Sequence, residues 1–270
     1  MSELNLHNRD LTTYEIDKVY YITRQQAVNL ISRVHYSKVM PKLNKYYIGA
    51  FVRDELVGVF TLGWGTRPLH TIKKLFPSLG TQDYYECGKL CMAEYMPKNS
   101  ESNFISKVIN LVKKDMPQIK LIFSWADGIM GKPGYVYQAS NFFYGGYIWT
   151  HAYLDKNNTR VHVRTLQGIN STKDKKYGDV SFDTINKQGF KILYGKQFRY
   201  IYPTCNKREW KNLLKETGFT WTRGNYPKDE DIEFYIKDEN GKRKLNNIEM
   251  NRTIYTKENP KLKNQLNLFE

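Results

Sequence analysis

The sequence predicts a mixed α/β fold, and three features carry the reading. Apolar residues recur at helical spacing, as in Phe104, Ile105, Val108, Ile109 and Val112. Short runs of β-branched and aromatic residues alternate with Gly and Pro punctuation. Between residues 84 and 126 a strand, a helix and a strand follow in that order, which builds a parallel pair with a right-handed crossover. With 270 residues the chain can bury a sizeable core, and its 40% hydrophobic and 14% aromatic content excludes a disordered chain.

Each element has a local cause. Thr23 caps a helix that runs through Arg33, with Ala27, Leu30, Ile31 and Val34 on one side. Tyr46 to Val52 and Leu56 to Leu62 read as strands joined through Arg53-Asp54-Glu55 into a hairpin. Gly63, Gly65 and Pro68 signal a loop, and a third strand follows around Tyr84 to Tyr95. Pro97 to Ser102 interrupts the pattern and caps the helix carrying Phe104 to Val112, which Pro117 ends. Lys120 to Ala126 is a short apolar run of the buried-strand type. A helix then spans Tyr135 to Asn141, ahead of an aromatic strand from Phe143 to Tyr153 and another near Arg160 to Thr165. Gly168 to Gly178 reads as loop, Lys191 to Tyr194 and Phe198 to Tyr202 as a pair of strands, and Asn206 to Thr217 as a helix. Residues 238–264 are rich in Asn, Lys and Glu with few large apolar side chains, the composition of a weakly ordered tail. The organisation expected is one domain over 1–204, a helical and irregular extension over 205–237, and a tail over 238–270.

Lys and Arg number 42 against 27 Asp and Glu, and the net charge of +15 favours a polyanionic partner. No apolar run reaches the roughly 20 residues of a membrane span, and the polar start from Met1 to Asp10 lacks the apolar stretch of a signal peptide. The expectation is therefore the cytoplasm, with no membrane. Cys87, Cys91 and Cys205 are too few and too odd in number for a disulfide framework. Between Lys156 and Arg208, 12 Lys and Arg stand against 3 Asp, a net of +9. Tyr177, Phe182, Phe190, Tyr194, Phe198, Tyr200 and Tyr202 interleave with these charges, a pattern that suits phosphates and unstacked bases. The alternation in Phe198 to Tyr202 equally fits rings turned into a core.

Asp127 ends a predicted buried strand, where open α/β sheets place ligand-binding groups, although an Asp before Gly also caps turns. Gly128, Gly131 and Gly134 punctuate the loop that follows, without the spacing of a phosphate-binding loop.

Tyr137-x3-Asn141-Phe142, after a strand and turn, resembles the tyrosine late in acetyltransferases of the GNAT superfamily. A closer resemblance is to the Mom family of phage DNA-modification proteins, itself similar to GNAT enzymes. His35-Tyr36-Ser37-Lys38-x-Met40-Pro41, Ala126-Asp127 with Gly131 and Gly134, and Tyr137-Gln138-Ala139-x-Asn141 match its segments in order. His162-x-Arg164-Thr165-Leu166 and Gly195-Lys196 with Arg199-Tyr200 and Pro203 follow, so the resemblance covers Ser32 to Pro203, 172 of 270 residues. Lys132-Pro133 stands where a loop histidine is expected. The Gln/Arg-x-x-Gly-x-Gly/Ala loop of GNAT enzymes is replaced by Lys98-Asn99-Ser100-Glu101-Ser102, which puts acetyl-CoA in doubt, while the helix N-terminus there still attracts an anion.

The resemblance implies a GNAT-like mixed sheet with flanking helices and a C-terminal extension. It also implies transfer of an acetamide-like group to adenine N6 of double-stranded DNA, which shields phage DNA from restriction in the host cytoplasm. Such an enzyme extrudes the adenine and needs a base. Asp127 is the first candidate, His35 the second and Glu86 a third, with Tyr137 as acid toward the leaving group. Tyr36, Ser37, Lys38, Gln138 and Asn141 fall in the matched segments as substrate contacts, with Ser124 on the strand that ends at Asp127, and His162, Arg164, Lys196 and Arg199 fall in them as DNA contacts. His35 and Asp127, with Glu86, also form the ligand types of an iron site. The end Gln265-Leu266-Asn267-Leu268-Phe269 resembles the peptide by which replication proteins dock on the bacterial sliding clamp. The alternatives are an N-acyltransferase using acyl-CoA on a protein, RNA or small amine, and a non-catalytic DNA-binding protein.

Overall fold

A computed structural model describes residues 15–35, 40–65, 68–161, 182–246 and 251–255. These form two compact units, Met1–Ala126 with Gly134–Gly146 and Phe198–Tyr226, and Asp127–Pro133 with Tyr147–Gln197 and Pro227–Glu270.

The first unit begins with strand β1 (Lys18–Tyr21), helix α1 (Arg24–Val34) and the hairpin of β2 (Asn44–Val52) and β3 (Glu55–Gly63). The expected cap on α1 is present: Gln26 N–H donates to Thr23 Oγ1 at 3.2 Å, and Thr23 N–H donates to Gln26 Oε1 at 2.9 Å. Such a cap contributes about 1 kcal/mol. Arg53 and Asp54 have φ of 48° and 67°, the paired left-handed residues of a two-residue hairpin turn.

Helix α2 (Pro68–Leu75) occupies a stretch read from sequence as loop, with Pro at its first position and Ile72 and Leu75 buried. The unit continues with β4 (Tyr84–Met92), α3 (Ser100–Asp115), β5 (Leu121–Asp127, whose last residue belongs to the second unit) and α4 (Tyr135–Ala139). Its sheet order is β1-β2-β3-β4-β5, then the Phe198–Pro203 end of β8 (Lys191–Pro203) and the Phe143–Gly146 end of β6 (Phe143–Leu154). Strands β1 to β4 pair antiparallel, and β4 and β5 pair parallel across α3, as the strand-helix-strand order requires.

Helices cover both faces of this sheet. On one, α1 packs Ala27, Leu30 and Ile31 against Val59 and Cys91, while α2 and the helix Lys207–Glu216 pack Ile72, Leu75, Trp210 and Leu213 against Tyr84, Leu121 and Phe123. On the other, Phe104 of α3 meets Phe60 edge-on at 6.3 Å. Truncating a fully buried ring such as Phe104 to Ala costs about 3–5 kcal/mol.

The second unit holds β7 (Thr159–Val161), α5 (Phe182–Asn186), β9 (Phe234–Asp238), β10 (Gly241–Leu245) and β11 (Asn251–Tyr255), with the remaining lengths of β6 and β8. Its sheet order is β10-β9-β8-β6-β7-β11. The helix Lys207–Glu216 of the first unit is α6.

Two expectations are corrected here. Strand β8 is one 13-residue strand and not a pair. A Cβ on Gly195 would lie 2.7 Å from Ile129 Cγ1, so this glycine permits close packing within the strand rather than a turn. Residues 241–245 and 251–255 form strands where a weakly ordered tail was expected. Strand β10 is exposed along Gly241–Lys244 and is ordered by its antiparallel pairing with β9, which needs no apolar side chains of its own. The stretch Gly168 to Gly178 lies outside the described residues.

Candidate active site

The parallel pair of β4 and β5 is short. Tyr84, Tyr85 and Glu86 pair with Leu121, Ile122 and Phe123, and no pairing follows beyond that point. The sheet of the first unit therefore opens just after Glu86, and polar side chains gather around the opening. Next to it, β4 bulges: Leu62 pairs with Cys87 but Thr61 pairs with Lys89, so Gly88 is the extra residue. The bulge turns Cys87 to the face of α3 and Lys89 to the face of α1.

Glu86 lies on the α1 and α2 face, beside Tyr84, and a Cβ on Gly65 would lie 2.2 Å from Glu86 Oε2. Only a glycine, here at φ +70°, admits the carboxyl so close to the backbone. The surrounding protein strips water from Glu86 and pushes its carboxyl up to about 7.

On the α3 face the Cys87 thiol is fully enclosed. Burial pushes it up to about 12, against which the hydroxyls of Tyr137 and Ser124 beside it act. Tyr137 is buried and packs on Phe142 and Tyr200, with ring centroids 5.3 Å away in each case. Ser124 is completely buried, and its Oγ makes no hydrogen bond of ordinary geometry. Gln138 Nε2 donates to Tyr200 Oη at 3.1 Å. Gly134 precedes this helix at φ +99°, where a Cβ would lie 2.5 Å from the Tyr200 ring.

The N-terminus of α3 opens on a polar cleft of about 590 Å³, lined by Lys98, Ser102, Lys107, Ser140, Asn141 and Tyr202, among others. Asn99 adopts a left-handed conformation at the helix start and supplies no side-chain cap. The cleft thus joins two lysines, hydroxyls and amides to the positive end of a 16-residue helix dipole.

Of the residues singled out in the sequence, the structure gathers Glu86, Ser124 and Tyr137 near the end of the β4–β5 pairing, and Asn141 at the cleft. His35 is buried at the C-cap of α1. Asp127 belongs to the second unit, where its Oδ2 accepts from Arg160 Nη1 at 3.1 Å. Arg160 carried no functional signal in the sequence. Among the described residues no three His, Cys, Asp or Glu side chains lie together as a metal site requires, so the ligand set of His35, Glu86 and Asp127 gains no support.

Lys196 and Arg199 are corrections to the expected DNA surface. Arg199 is 5% exposed, donates through Nη1 to Gly145 O at 3.0 Å, and lies over the rings of Phe219 and Trp125 at 4.4 and 5.5 Å. Lys196 is 7% exposed, donates to Asp231 O at 2.9 Å and pairs with Glu233 at 3.3 Å. Side chains so enclosed cannot displace counterions from a phosphate backbone. Tyr36, Ser37, Lys38, His162, Arg164 and the terminal Gln265, Leu266, Leu268 and Phe269 lie outside the described residues.

Sequence reasoning named Lys98 at the anion-attracting helix start but missed Cys87 and Lys107. Cys87 carried a usable signal, since it adjoins Glu86 on a strand next to the crossover; Lys98 and Lys107 come to line one cleft only through the fold.

Comparison with known proteins completes the description. Among the solved structures that match at low similarity are a Bacillus subtilis acetyltransferase in complex with CoA, 13% identical with a TM-score of 0.35 over 69% of this chain and 97% of that one, and an N-acetyltransferase from Staphylococcus aureus Mu50, 12% identical with a TM-score of 0.37 over 70% and 98%. They add nothing to the fold already described. Methylcarbamoylase mom of Escherichia phage Mu is 30% identical over 189 residues, 69% of this chain and 75% of that protein. The sequence pattern of the Mom protein family matches residues 17–228. The chain belongs to the Mom protein family.

Proposed function

We propose that this protein is a transferase that attaches a small methylcarbamoyl- or acetamide-type group to adenine N6 in double-stranded DNA. The observation that carries the reading is its 30% identity to Methylcarbamoylase mom across three quarters of that protein. The site gives the reaction a physical route. An exocyclic amine inside a stacked pair is out of reach, so the adenine leaves the duplex at a cost of a few kcal/mol.

Glu86 takes the N6 proton as the new N–C bond forms, because a carboxyl held near 7 is half ionised at neutral pH and accepts a proton better than an ordinary glutamate. On the other face, Tyr137 gives a proton to the leaving group as the bond to the donor breaks. The opening beyond Glu86 lets the two reactants meet from opposite faces of the sheet. An anionic portion of the donor binds the cleft at the α3 N-terminus, held by Lys98 and Lys107.

Modified DNA then resists host restriction, and the Gln265-Leu266-Asn267-Leu268-Phe269 end docks the enzyme on the sliding clamp. Titrating a labelled terminal peptide into purified clamp tests the docking; absence of binding at high micromolar concentration ends that part.

The main test is nucleoside mass spectrometry of digested DNA from cells expressing the protein. The expected result is a deoxyadenosine of raised mass that Glu86→Gln abolishes. Unmodified nucleosides, with an acylated protein, RNA or amine found instead, would replace this reading with an N-acyltransferase.

A further inference from the structure

The second unit has one sheet face that this chemistry leaves unused. Side chains alternate between faces along a strand. One face is closed, since Ile129, Ala152, Leu154, Leu193 and Phe234 form a buried cluster. The other face is covered at its Tyr153 and Ile192 end, where Ile185 and Phe182 of α5 pack with Tyr194, and beyond that end it carries rings and lysines across four strands. Tyr147 and Trp149 on β6 are each 47% exposed, and Trp149 meets Tyr235 of β9 edge-on with centroids 5.5 Å apart. Tyr194 of β8 pairs with Tyr235, and Lys242 of β10 lies 4.6 Å from the first ring and 5.3 Å from the second. Lys196 lies 4.7 Å from the Tyr147 ring and, being far more buried than that ring, holds it from the inner side.

Scattered exposed rings on a protein surface mean little. Here they are adjacent, fixed by edge contacts, and interleaved with cations. Lys237 and Lys242 pair across β9 and β10, and Lys244 faces the same way opposite Tyr235. Glu233 extends toward Lys196, which already engages it at 3.3 Å. A second copy of the same face would set lysines against lysines. A chain of flat groups joined by anions matches both the rings and the charge.

We propose that this face is a platform for unpaired DNA, with bases stacked on Trp149 and Tyr235 and phosphates met by Lys237 and Lys242. The inference rests on the reading that DNA is the substrate: extruding one adenine leaves neighbouring and opposite bases unstacked, and a ring platform holds them.

The experiment titrates the full chain with fluorescein-labelled oligothymidine, which offers no adenine to the active site. Trp149→Ala and Tyr235→Ala each lower affinity roughly fivefold or more, as loss of one base stack does. Trp149→Phe retains most of the affinity, and Lys242→Ala reduces the slope of log affinity against log salt by about 0.7. Melting temperatures close to the unaltered chain show that the fold is kept. Full oligothymidine affinity in the Trp149→Ala, Tyr235→Ala double variant, or an unchanged salt slope in Lys242→Ala, overturns the platform. So does a self-association, seen in sedimentation, that the ring variants abolish while oligothymidine binding stays. Nucleoside analysis of duplex DNA separates the two claims. Modified adenine with ring-independent binding sinks the platform alone, whereas ring-dependent binding without modified adenine sinks the transferase reading and leaves the platform.

Discussion

The two units use sheet in opposite ways. In the first, helices cover both faces, and a group of polar side chains is enclosed where strands part: Glu86 on one side of the opening, Cys87, Ser124 and Tyr137 on the other. In the second, one face is closed by an apolar cluster, and the other is covered by α5 over only part of its extent, leaving Tyr147, Trp149, Tyr235 and Lys242 beyond it. Two cations show the contrast most plainly, although Lys196 of the second unit is enclosed as well. Arg199 of the first unit is enclosed between rings with its Nε unsatisfied, and burial lowers its affinity for a proton. Lys242 of the second lies over rings while remaining exposed. A cation on an aromatic ring is thus a packing group when covered and a contact group when open, and residue type alone does not distinguish them.

The largest test of this contrast is Glu86→Gln. Removing the proposed base should lower the transfer rate by about 10²- to 10⁴-fold and erase the rise in rate through pH about 7, while the oligothymidine binding proposed for the second unit stays intact. Time courses of modified nucleoside between pH 5.5 and 8.5 (roughly the span over which such a carboxyl titrates) read it. A rate unchanged by the substitution would leave the opening without its base.

Next in size is Arg199→Ala, which removes a buried side chain from the rings of Trp125 and Phe219. Urea unfolding should show a loss of about 2–4 kcal/mol, with the salt slope of DNA binding unaltered. A reduced salt slope with full stability would return Arg199 to the DNA surface.

A third test uses pH. Below its ordinary value of 4.5 the Glu86 carboxyl is protonated in folded and unfolded chain alike, so it takes nothing from stability. As pH rises through about 7 the unfolded chain is already ionised while the folded chain must give up its proton in an enclosed site. Stability therefore falls across that window, by up to about 3 kcal/mol, and Glu86→Gln flattens the fall. Denaturant midpoints of both proteins at about pH 4 and pH 8 measure it; parallel curves would mean that the site does not enclose the charge.

The smallest effect belongs to the second unit. Lys242→Ala should change unfolding free energy by no more than about 0.5 kcal/mol, read by thermal melting. A larger loss would make Lys242 a structural cation like Arg199.

What the sequence determined by itself lies mostly in the first unit. The cap at Thr23, the apolar stripe of α3 and the short apolar run of β5 are local signals, each written within one element, and they suffice for the strand-helix-strand order. The motif segments likewise placed Tyr137 and Asn141 among the candidates, and Glu86 and Ser124 joined them from their places on predicted strands. What only the tertiary structure decided depends on partners distant in the chain. The bulge at Gly88 exists because β3 pairs out of register with β4, and it alone separates Cys87 from Lys89 across the sheet. Asp127 finds Arg160, 33 residues away, and Arg199 finds Gly145, 54 residues away. The strand β10 reads as tail because Gly241–Lys244 are exposed and mostly polar, and what orders them is pairing with β9, which composition does not name. Exposure is a property of the packed surface, so the same residue types gave an enclosed arginine in one unit and an open ring-and-lysine face in the other.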